Sequence, residues 1–229
     1  MDCWAQKIVS MYQTVFLRIS IALFIVMQVS CMAKKDEPSL PYYNSPDFTP
    51  QFFASQKKAA KNITHTIGSF SMTDQHGKKI TQTDIEGKIN VANFIFTSCG
   101  SICPVMTKHM KLVQDAFKNN PGVVILSFSV TPWIDSVPRL KMYADNNEIT
   151  SPNWHLLTGN KAEIYTLARR DYFAEEDMGF TKDSTDFLHT EHILLIDRTK
   201  RIRGIYNGTL QLETEQMIKD MGELLKEKD

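Results

Sequence analysis

Two cysteines, Cys99 and Cys103, stand four positions apart in the stretch FIFTSCGSICPVMTKHM, with Pro104 directly after the second. A thiolate is both a nucleophile toward disulfides and a soft metal ligand. The pair therefore admits four readings: a structural disulfide, a dithiol redox couple, part of a metal site, or two inert thiols in a core. The chain has four cysteines, and the other two, Cys3 and Cys31, lie in or beside an N-terminal apolar segment. The body is long enough to build a core without cross-links, so the remaining pair reads as chemical rather than architectural.

A third donor separates a metal site from a bare dithiol. There are six histidines. His65 and His76 precede or lie in a hairpin and read as solvated. His109 lies on the helix after Cys103 and points away from its start, and His155 reads as a structural residue of a short strand. His189 and His192 close a long polar stretch, Asp171 to Thr190, just ahead of the strand ILLID. His192 adjoins that strand, so its position is the better fixed of the two; spacing alone leaves open whether it is a ligand. Two thiolates and one imidazole form a copper donor set, the sulfurs favouring Cu(I) and the imidazole helping to retain Cu(II). Zinc usually adds a fourth ligand. Met72, Met106, Met110 and Met178 are conceivable soft ligands, but their spacing is that of core filling.

The elements that must position these residues alternate. IGSFSMTDQHGKKIT reads as a hairpin turning at Gly77. The continuous apolar runs Ile89 to Thr97 and Gly122 to Val130 read as buried strands. A helix is expected over Pro104 to Asn119, with Pro104 in its first turn, where a missing N–H costs nothing. A second helix fits Ser136 to Asn147, a short strand NWHLLT, a helix capped by Asn160 and running through Arg170, strands EHILLID and RIRGIYNG, and a closing amphipathic helix Gln211 to Glu227. The order implies an α/β fold, a mixed sheet flanked by helices with an N-terminal β-hairpin extension and an antiparallel edge. The cysteines then fall where a buried strand enters a helix. The helix N-terminus supplies free N–H groups and partial positive charge, and both favour a thiolate.

Basic and acidic residues balance, 26 against 26, with no basic block, which argues against a nucleic-acid partner. Lys7 and Arg18 precede the apolar run Ile19 to Cys31, which reads as a secretory signal. The VSC ending resembles a bacterial lipoprotein box with Cys31 as the lipidated residue; Gln28 stands where such boxes usually carry Leu. An uncleaved membrane anchor is the alternative. Either version exports the body and ties it to a membrane, facing the periplasm or another extracytoplasmic side. The expected organisation is a signal or anchor over 1–31, a tether and extended lead-in over 32–60 that packs its aromatics on the domain, and the domain itself over 61–229.

Together these segments resemble the Sco/SenC family. FIFTSCGSICPVMT resembles its CxxxCP segment, HTEHILLIDRTKRIRGIY its later His segment, and SFSVTPWIDSVPRLKMYA its strand, acidic loop and helix. The resemblance runs from about Pro41 to the C-terminus. It implies a thioredoxin-like fold and a metallochaperone that binds one copper through Cys99, Cys103 and His192. It also implies a role in assembling the CuA centre of cytochrome c oxidase, with the copper-site subunit of that oxidase or another copper protein as partner. One departure is visible: where the family often reads D-P-x-x-D, this chain has Thr131 and keeps only Asp135, which reads as a cap for the next helix. The alternative is a thiol–disulfide oxidoreductase in which Cys99 and Cys103 are a catalytic redox pair that reduces a partner's cysteines, or a peroxide-related protective protein. Whether the chain is an enzyme stays open at this point, and His192 is the discriminating residue, since a reductase does not need it.

Overall fold

The computed structural model describes residues 40–174 and 190–227. The leader with Cys3 and Cys31, the tether up to residue 39, Met178, His189 and most of the long polar stretch lie outside them. No helix among the described residues is long and apolar enough to cross a membrane.

A single sheet organises the domain. Its strands are β1 (Ser71–Asp74), β2 (Lys79–Thr81), β3 (Ile89–Ile95), β4 (Val123–Ser129), β5 (Trp154–Thr158), β6 (His192–Ile196) and β7 (Ile202–Asn207). They lie in the order β2-β1-β5-β4-β3-β6-β7. The three central strands run parallel, and a hairpin pairs antiparallel at each side. β3 and β4 are buried at every position, because helices cover both faces of a parallel centre. That is why both read as unbroken apolar runs rather than alternating ones. The N-terminal hairpin turns at Gly77, whose φ of 77° is free for glycine and strained for other residues.

Two apolar layers flank the sheet. One packs α3 (Ile102–Phe117), α4 (Val137–Asn146) and α6 (Gln211–Lys226) through Met106, Met110, Leu140, Met217 and Met221. The other packs α5 (Lys161–Thr166) and the short α2 (Gln82–Ile85) through Ile164, Tyr165 and Ile85, together with Phe70, Phe94 and Phe128. Met72, Met106 and Met110 are core residues, as their spacing implied. Asn160 caps α5 by accepting from the N–H groups of Ala162 and Glu163. The expected helix through Arg170 changes character after Thr166, where five residues, Leu167–Asp171, widen into a π-helical turn.

The lead-in packs Tyr42, Tyr43 and Phe48 on the domain, while Phe52 is exposed. Tyr42 and Gln51 exchange backbone hydrogen bonds, and Tyr43 N donates to Ile202 O at 3.1 Å. The one-turn-plus helix α1 (Gln56–Asn62), capped by Ser55, follows; α1 and α2 were not anticipated, since seven and four residues carry too little periodicity to stand out.

Candidate functional site

β3 leaves the sheet at Ile95 and enters α3 at Ile102, and both cysteines belong to that passage. Ser101, the cap residue of α3, makes no side-chain bond to the helix. The sulfur of Cys99 takes the role instead: the backbone N–H of Cys103 points at Cys99 Sγ, with N and S 3.5 Å apart. Both cysteines are free thiols.

The two sulfurs differ in surroundings. Cys103 is buried, 4% exposed, beneath the start of α3, and burial pushes its thiol up to about 12. Cys99 is half-buried. Burial opposes its thiolate too, but the N–H groups of Cys103, Ser101 and Ile102 outweigh that and hold its thiol below the usual range. The arrangement supplies one ionisable, reachable sulfur and one protonated, enclosed sulfur.

The loop ahead of Cys99 is tied down by a buried carboxylate. Register pairs Ile95 with Ser129, so β3 and β4 emit their next residues side by side. Asp135, fully buried, accepts from Thr97 Oγ1 (2.5 Å), Ser129 Oγ (2.6 Å), Thr131 Oγ1 (2.9 Å) and Thr97 N (3.3 Å). Arg139 on α4 closes the network, donating to Thr97 Oγ1 and Ser98 Oγ, each at 2.6 Å. This corrects the expected role of Asp135: Ser136 is the cap residue of α4, while Asp135 ties together the loops after β3 and β4. Thr131, at the first acidic position of the D-P-x-x-D pattern from which the chain departs, contributes a hydroxyl donor to the same carboxylate. The signal was in the sequence as hydroxyls at Thr97, Ser129 and Thr131, each just past or at the end of an apolar run.

The histidines separate by partner. His155 Nδ1 pairs with Asp74 Oδ2 at 3.0 Å, a structural role as expected. His109 Nδ1 donates to Gly208 O at 2.8 Å. His76 is exposed. His65 is not solvated: its Nε2 donates to Asp171 O at 2.8 Å and its ring stacks on Phe173, centroids 4.2 Å apart. His192 opens β6, one register step from Asn93↔Ile193, and so lies at the same end of the sheet as the cysteines. Its side chain shares a face with Leu194 and Ile196, against the layer that holds Phe48, whereas Cys99 and Cys103 pack with the opposite layer. Phe96, on the passage between them, touches both layers. His192 Nδ1 is buried with no hydrogen-bond partner among the described residues. Among the described residues no three His, Cys, Asp or Glu groups are gathered closely enough to hold a metal ion. The structure thus joins the two sulfurs, and brings the imidazole to their end of the sheet but not into their group.

A parallel strand-to-helix passage carrying two cysteines, in a mixed sheet covered on both faces, defines a thioredoxin-like dithiol protein. Comparison with known proteins narrows the class. The SCO1/SenC family model matches residues 58–226, and the chain belongs to that family. It is 31% identical over 161 residues to the SCO1 protein homolog of Bacillus subtilis, covering 69% of this chain and 82% of that one. Among solved structures, a SCO1/SenC family lipoprotein from Bacillus anthracis superposes with a TM-score of 0.62 at 30% identity, covering 71% of this chain and 96% of the other. ScoI of Bradyrhizobium japonicum, solved with copper bound, superposes with a TM-score of 0.54 at 28% identity, covering 69% and 98%. A third, BsSco, is described as a member of the Sco family of cytochrome c oxidase assembly proteins with a disulfide switch; its TM-score is 0.61 at 30% identity, covering 72% and 95%.

Proposed function

We propose that this chain is a copper metallochaperone of cytochrome c oxidase assembly, holding one copper ion through Cys99, Cys103 and His192 and passing it to the subunit that houses the CuA centre. The observation that carries the reading is the pairing of Cys99 Sγ with the start of α3, at the sheet end that also carries His192, whose buried Nδ1 has no partner among the described residues. Two thiolates suit Cu(I), and the added imidazole stabilises Cu(II). The copper-bound relative and the oxidase-assembly relative support the cargo and the destination. The cysteines lie in a loop at the sheet's end, with Gly100 and Ser101 exposed beside them, a position from which a partner's ligands can displace them.

Titration of the reduced full chain with copper tests this. Uptake of about one ion per chain is expected from the three donors, and His192→Ala should release Cu(II) while leaving disulfide formation intact. Equal Cu(II) retention in parent and variant overturns the third-ligand assignment.

The contrast between the thiols favours a second activity through the same pair. The Cys99 thiolate attacks a partner's disulfide, forming a mixed disulfide and releasing one partner thiolate. Cys103, deprotonated as it reacts, then attacks Cys99 Sγ and releases the second. The chain ends as the Cys99–Cys103 disulfide: two electrons have passed to the partner, whose two sulfurs leave as thiolates, and the one proton given up is that of Cys103. We further propose that Cys31 carries a lipid that ties the domain to a membrane on the extracytoplasmic side. Cys31→Ser should move the chain from the membrane to the soluble fraction, and unchanged fractionation would point to an uncleaved helix.

A further inference from the structure

Resting on the reading of His192 as a copper ligand, we propose that Phe48 is a positioning residue that docks the His192 ring on the side of the sheet away from the thiols, so that the third donor must undock before it joins them. Phe48 sits at the tip of the lead-in hairpin, where its ring meets the His192 ring edge to face, centroids 5.7 Å apart at 84°. It also meets Tyr43 at 6.4 Å and Phe173 at 6.3 Å. The ring that meets His192 is aromatic, and among the described residues His192 Nδ1 has no hydrogen-bond partner. A buried ring nitrogen left unpaired is poorly satisfied where it lies, and copper offers it a bond.

The dock is held at a conformational cost. Phe48 has a φ of 52° and Phe173 a φ of 50°, and bulky side chains rarely adopt such values. Phe48 is kept there by its neighbour: Asp47 accepts from Ser45 Oγ at 2.5 Å and from Thr49 Oγ1 at 2.7 Å. Strain at Phe48, the residue whose ring meets this orphaned imidazole, fits a site with two arrangements. Because a donor that is docked part of the time binds with reduced apparent affinity, the dock lowers copper retention in proportion to its occupancy.

NMR of the metal-free full chain with labelled histidine tests the contact directly. The His192 ring protons, assigned by their loss in His192→Ala, should show a ring-current shift in the parent. Phe48→Ala and Phe48→Leu should abolish that shift and Phe48→Tyr should restore it; Leu keeps the apolar packing if Ala destabilises the tip. Stopped-flow formation of the thiolate-to-Cu(II) absorption should speed up about two- to ten-fold in the Ala and Leu variants, the weight of one edge-to-face ring contact. Alkylation of Cys99 should not change. Ring signals indifferent to Phe48, or equal capture rates, overturn the dock. Equal Cu(II) retention in parent and His192→Ala instead removes the ligand reading, and the positioning role falls with it even if the ring shift is seen.

Discussion

At neutral pH the two thiols ionise to different extents, because burial keeps the proton on Cys103 while backbone N–H groups favour the thiolate of Cys99. Iodoacetamide should therefore modify Cys99 first, with Cys103 protected until the domain opens; mass spectrometry of a timed series checks the order. The enclosed thiol also carries a pH signature. Free cysteine ionises near about 8.5, whereas Cys103 holds its proton up to about 12. Between those values the unfolded chain has released a proton that the folded chain keeps, so stability falls as pH rises through the window. The contribution is present in full below the ordinary thiol range and gone above about 12. Urea melts of Cys103→Ser should show a shallower alkaline decline than the parent. The pair itself was legible in the sequence because its spacing is local. The location of the His192 ring was not, since it depends on Phe48, a residue 144 positions earlier that reads as part of a lead-in.

Elements explain what each loop can be trusted to hold. β3 and β4 were legible as unbroken apolar runs because both faces are covered, and α3 because its buried residues recur at helical spacing. The Asp135 network escaped that reading: its donors come from the ends of two different strands, and only their register brings them together. Asp135→Ala leaves three hydroxyls and a backbone N–H facing a void. It should lower the unfolding free energy by about 2–4 kcal/mol, measured by urea denaturation. Arg139 is partly exposed, so Arg139→Leu should cost under about 1 kcal/mol. A loss as large as that of Asp135→Ala would mean that the guanidinium, not the carboxylate, is the keystone of the loop.

Across the whole domain, one buried guanidinium gathers three distant pieces of chain. Arg203 on β7 is fully buried and donates to Glu227 at 2.9 Å and Asp197 at 3.2 Å. It also donates to the carbonyls of Pro41 and Leu40, at 3.0 and 3.1 Å, and lies over the Tyr42 ring at 3.9 Å. Arg203→Met strands two carboxylates and two carbonyls at once, and a loss of about 3–5 kcal/mol is expected in the same urea assay. A loss below about 1 kcal/mol would mean that the aromatic contacts of Tyr42 and Tyr43 suffice to hold the lead-in.

That guanidinium sits near the turn from β6 to β7, whereas His192 and the cysteines lie where β6 begins and β3 ends. Chain entering at Leu40 therefore meets the domain at the pole remote from the sulfurs. A reporter, bead or surface linkage joined ahead of Leu40 should leave the thiols open to a visiting protein. The same cargo grafted onto the turn before α3 should block them.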